Sequence, residues 1–133
     1  MPRFIPLLAL APLLAPPALA QDHATARPDL IVKEVVAGMP KGDRQEIKVL
    51  TATLRPGDKT PFHTHRFPVT AYILEGAFTL EMEGRPPVTI KAGQSIVEPP
   101  NLKMTGYNRA TEPLKIVIFY VSDPGAPFLE LIH

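Results

Sequence analysis

The sequence predicts an all-β domain, a sandwich or a closed barrel of antiparallel strands. Three observations carry this. Apolar and polar residues alternate with a period of two along several short segments, most plainly where Phe78, Leu80 and Met82 interleave with Thr79, Glu81 and Glu83. Gly and Pro punctuate the chain between such segments, as at Gly84-Arg85-Pro86-Pro87. No stretch keeps a helical period, and 17 prolines in 133 residues weigh against a helical bundle.

Taken in order, the first expected strand is Ile31-Val32-Lys33-Glu34-Val35-Val36. A longer one covers residues 46–54, and a third covers 70–74 and stops at Glu75-Gly76. The alternating Phe78 segment follows and ends at the Gly84 turn. Residues 88–90 and 95–97 read as two short strands around Ala92-Gly93. Residues 114–121 form an apolar run long enough for a strand buried on both faces. A chain of this length fits one domain, assigned here to residues 30–125, with a C-terminal tail at 126–133.

The N-terminus predicts export. Arg3 supplies a positive start, residues 4–15 are apolar, and Pro16-Pro17 stand just before the small-x-small pattern Ala18-Leu19-Ala20. The run is too short to span a bilayer. Residues 1–20 are therefore expected to be a signal peptide and 21–29 a polar arm, placing the protein in the periplasm or outside the cell. Removal of Arg3 takes the formal charge from +1 to zero. The remaining charges are interspersed, which argues against a nucleic-acid partner and, after cleavage, a membrane partner. Without cysteine there is neither a disulfide framework nor a thiolate metal site.

Two spaced motifs give the chain a family resemblance. Gly57, His63, His65 and Gly76 match a pattern of a glycine, five residues, His-x-His, a carboxylate position and a closing glycine. Gly93, Pro99 and Asn108 match a second pattern, with Asn101 where a turn glycine is usual; Asn tolerates the left-handed backbone that glycine would supply. Across residues 30–125 the chain thus resembles the small single-domain bacterial cupins. The resemblance implies a cupin jelly-roll β-barrel of antiparallel strands, and a homodimer, which exposed sheet edges also favour. The apolar tail at residues 128–132 is a candidate cover for such an edge.

The resemblance also implies a metal held by two histidines, a glutamate and a third histidine. Here the glutamate position reads Val69 and the third histidine position reads Met104. His63 and His65, two apart on an expected strand, project to one face. The metal ligands expected from the sequence are therefore His63, His65 and Met104. Imidazole with a thioether favours copper over manganese or iron. Val69 and Tyr72 are the expected walls of a small-molecule pocket.

Other readings stay open at this level. One is a metal-free small-molecule-binding module, with Met104 filling space in an apolar interior. Another is a periplasmic copper-handling protein without catalysis, aided by an N-terminal Gln21-Asp22-His23 in which the amine, two amides and the histidine offer a square-planar nitrogen set. Arg66 and Phe67 are candidates for the barrel mouth, and Asn108 for a turn stabiliser. No Ser-His-Asp set, phosphate loop or carboxylate pair stands out, so no catalytic residue is assigned and the reaction, if there is one, is unknown.

Overall fold

The computed structural model describes residues 1–2, 19–21 and 23–133. The expected signal peptide lies almost wholly outside them, as does Asp22 of the Gln21-Asp22-His23 arm. No helix among the described residues is long and apolar enough to cross a membrane.

Among the described residues, nine strands build two facing antiparallel sheets. In chain order they are β1 (Glu46–Leu54), β2 (His63–Thr64), β3 (Val69–Glu75), β4 (Ala77–Met82), β5 (Val88–Lys91), β6 (Ser95–Glu98), β7 (Met104–Tyr107), β8 (Leu114–Ser122) and β9 (Glu130–Leu131). One sheet has the order β1-β8-β3-β6 and the other β5-β4-β7-β2-β9. Every pair of consecutive strands except β4–β5 falls in different sheets, so the chain wraps back and forth around one core, as in a jelly roll. Leu54, Ile73, Leu80, Met104 and Leu114 are buried between the sheets.

The alternation read from sequence sets the register. Val69, Ala71 and Ile73 turn inward while Thr70 and Tyr72 turn out. Phe78, Leu80 and Met82 face the core from β4. Opposite Leu80 stands Gly106 on β7, where the absent side chain makes room for the Phe78 ring. Turns follow the glycines expected of them: Gly76 has φ 80° and Gly93 has φ 83°, and Asn101 takes φ 58° in their manner. Asn108 ties its neighbourhood together as anticipated, donating to the carbonyls of Leu54 and Glu112 and accepting from the Ala110 amide.

Two expectations need correction. Residues 31–36 form no strand. They lie as extended chain beside β6, where Pro99 and Pro100 lack the N–H groups that would prolong a ladder. The run at 114–121 is a strand, but it is buried on one face only. Lys115 and Phe119 are exposed, and Phe119 forms an exposed apolar patch with Ile47 (74% exposed) and Val49 (61%) on the outer face of the four-stranded sheet. The tail does cover an edge: β9 pairs with β2, and the Ile132 amide donates to the Phe62 carbonyl.

Candidate metal and ligand site

Strand β2 is only two residues long; it carries His63, and His65 follows directly after it. Nδ1 of His63 donates to the Pro61 carbonyl at 2.6 Å, and Nδ1 of His65 donates to the Phe128 carbonyl at 2.6 Å. A carbonyl only accepts, so each Nδ1 carries a proton and each ring's remaining nitrogen is turned inward. The two Nε2 atoms lie 3.1 Å apart, and Oε2 of Glu98 lies 3.2 Å from Nε2 of His65. The Asn101 amide donates to the His65 carbonyl, so the left-handed turn also fixes this part of the backbone.

This geometry has an electrostatic consequence. With both rings protonated at Nδ1, three basic atoms converge with no proton of a neutral ring between them. The inward face thus offers two ring nitrogens and a carboxyl oxygen to a proton, a water or a metal ion. Burial pushes the pKa of His63 below its ordinary value, against a proton residing there. No set of three His, Cys, Asp or Glu side chains among the described residues is closed into a ready coordination sphere. The cluster is a chain of two contacts, from His63 to His65 to Glu98. Its donors, two imidazole nitrogens and one carboxylate oxygen, are nevertheless the chemical types that bind first-row divalent ions.

Glu98 is the residue that sequence reasoning missed. It closes β6 directly across the ladder from Val69, so the two side chains leave the same face. The carboxylate that the cupin motif puts at position 69 is thus supplied from the neighbouring strand. Glu98 is only 6% exposed. Phe128 was missed as well: its carbonyl orients His65, and its ring packs against His65 with centroids 4.7 Å apart.

The other expected site residues divide. Val69 lines the cavity beside the histidines, as anticipated. Met104 pairs with His63 in register, so the two share a face, but it is packed into the apolar core and is not a wall of the cavity. Glu98 adds a carboxylate to the donors expected from the sequence. Tyr72 does not reach the pocket. The period of two that sends Val69 inward sends Tyr72 outward, into a surface groove beside Leu30 and Phe119. Arg66 faces Asp123 at the surface, and His23 and His133 are exposed and apart from the cluster.

Next to the cluster is a cavity of about 200 Å³ between the sheets. Its walls are mostly hydrocarbon, from residues such as Leu54, Ala71, Phe78 and Ile116. His63, His65 and Glu98 form its polar end, and Phe128 and Leu129 of the tail close on it.

The comparisons with known proteins agree with this architecture. The solved structures resembling this one include a cupin-like protein from Thermotoga maritima, with 22% identity, a TM-score of 0.55 and coverage of 65% of this chain and 64% of that one. They include an RmlC-like cupin from Methanocaldococcus jannaschii, at 20% identity and TM-score 0.56, covering 70% of this chain and 94% of that one. A DMSP lyase from Ruegeria pomeroyi also matches, at 20% identity and TM-score 0.56 over 64% of this chain. This chain spans less than half of that lyase, 42% of its length. At these identities the likeness concerns the fold. No curated protein matches the sequence. The cupin-domain family model matches residues 50–120, more than half of the sequence and including His63, His65, Val69 and Glu98, and the chain therefore belongs to the cupin family.

Proposed function

We propose that this protein is an exported cupin that binds a first-row divalent metal ion through His63, His65 and Glu98, and a small molecule in the adjoining cavity. The observation that carries the reading is the convergence of two Nε2 atoms and a carboxylate oxygen, each ring held by its Nδ1–H on a backbone carbonyl. Such second contacts orient metal-binding imidazoles and raise their basicity. Two nitrogens and one oxygen favour zinc, iron or manganese more than the nitrogen–sulfur set did. A metal held there would supply a Lewis acid to polarise an oxygen of the bound molecule. The protein would supply the hydrocarbon walls and the exclusion of water. The export signal in residues 1–20 supports a periplasmic or secreted location.

The test is metal content and titration. Untagged protein from the periplasm is expected to carry a divalent ion. Protein stripped of metal should take up one equivalent of cobalt(II), read from its visible spectrum. His63→Ala and Glu98→Gln should each lose that uptake, and Met104→Leu should keep it. Uptake that needs Met104 but not Glu98 would return the site to a soft, copper-type centre. No uptake by any form would leave the metal-free binding module.

A further inference from the structure

We propose that residues 124–133 form a hinged strap that leaves the barrel as one unit while the rest stays folded, and that this opening is the way into the interior. The opening is a property of the fold, whatever the interior holds. None of the residues from Asp123 to His133 is buried, so the segment belongs to the weakly held part of the molecule. Strand β9 stands at the end of the order β5-β4-β7-β2-β9 and pairs with β2 through only two registered positions, His63–Leu131 and Thr64–Glu130. It can depart without breaking any other ladder. The root of the strap suits a hinge. Strand β8 ends at the buried Ser122, and Pro124-Gly125 follow, with Gly125 at φ 80°.

The closed position is held by a few clasps. The Gly125 amide donates to Oε2 of Glu46 at 2.9 Å, Nζ of Lys48 donates to the Ala126 carbonyl at 2.8 Å, and the Ile132 amide donates to the Phe62 carbonyl at 3.0 Å. The main apolar contact is the Phe128 ring, which packs on His65 and Tyr120 with centroids 4.7 and 5.4 Å away. Phe128 and Leu129 close one end of the cavity. The loop at Thr60-Pro61 also borders it, but that side is fastened: the Thr60 amide donates to the Gly106 carbonyl of β7, and the Gly106 amide donates back to the Thr60 hydroxyl. The strap is therefore the weaker of the two covers.

Full-length protein freed of metal with EDTA tests this in two ways. In native-state hydrogen exchange, the Ala126 and Ile132 amides should share one opening free energy and exchange about 100-fold faster than the amides of β8. Gly125→Ala meets nothing within 4 Å and strains only the closed, left-handed backbone, so it should speed both amides by roughly tenfold and leave β8 unchanged. The chain has no cysteine, so Thr64→Cys with Glu130→Cys places a single disulfide across the β2–β9 ladder. Labelling by diethyl pyrocarbonate, read residue by residue by mass spectrometry, should reach His63 and His65 about tenfold more slowly in the oxidised form than in the reduced form. The exposed His23 and His133 should react equally in both. Should the disulfide not form, labelling of Gly125→Ala decides instead: His63 and His65 reacting roughly tenfold faster supports the strap, and an unchanged rate overturns it. An Ile132 amide that exchanges only together with β8, amides that respond separately to Gly125→Ala, or interior labelling that ignores the disulfide also overturns it. No readout uses a metal, so the result is separate from that of the metal titration.

Discussion

Replacing Gly106 by alanine should destabilise the fold and shrink the cavity together. A Cβ at this position would stand 2.3 and 2.4 Å from two Phe78 ring carbons, more than 1 Å inside the 3.4 Å at which ordinary contact begins. The ring cannot yield at its tip, because it is rigid and buried in the core. It must tilt as a whole away from β7, toward the space it now borders. Overpacking of this kind costs about 1–3 kcal/mol, which lowers Tm by roughly 4–8 °C for each kcal/mol in a domain of this size. Urea unfolding monitored by circular dichroism measures the loss. Leucine lacks the two ring carbons concerned, so Phe78→Leu should relieve the clash. The double variant should therefore be more stable than the two single losses added together, by about 1–2 kcal/mol. A loss below about 0.5 kcal/mol for Gly106→Ala, with no coupling to Phe78, would refute the packing argued here.

Three further outcomes are expected. Tyr120 is fully buried, and its hydroxyl lies near the Phe67 backbone without a hydrogen bond of ordinary geometry, so Tyr120→Phe should change stability by no more than about 1 kcal/mol; a larger loss in thermal unfolding would mean the hydroxyl makes a full hydrogen bond there. Burial also pushes the Tyr120 pKa up, so the fold holds its proton where the unfolded chain releases it. Its contribution is intact below about pH 10 and declines as pH rises beyond that, and the Phe variant should lack this part of the alkaline decline in Tm. Glu98→Gln should lose stoichiometric cobalt uptake with the fold unchanged, as followed by calorimetry and circular dichroism. Finally, the uncovered face bearing Ile47, Val49 and Phe119 is expected to pack against a second copy; Phe119→Lys should shift the sedimentation coefficient from dimer to monomer, and an unchanged coefficient would count against that face.

Period two was enough to locate most of this fold. It placed β1 at its observed bounds and oriented Phe78, Leu80 and Met82 correctly, because each strand has one face in the core. The same rule also brings His63 and His65 to one cavity. It did not reveal Glu98, although the signal was available: a strand with Ile96 inward must also turn residue 98 inward. Ending that strand at Val97, ahead of Pro99-Pro100, hid it. What sequence could not supply was the β3–β6 register, which brings position 98 opposite the vacant position 69. The Phe128 carbonyl was further out of reach, since it meets His65 from 63 residues away. Residues 31–36 misled for the converse reason: they alternate like a strand but have no ladder partner among the described residues.

The hold that Phe128 has on His65 imposes an order of events. A nascent chain carries both histidines before the segment that steadies the second of them has emerged. The His65 ring is therefore fixed only once the last strand docks on β2, and under the proposed function metal capture would follow that step. An affinity tag appended close behind Leu131 would strain that final latch.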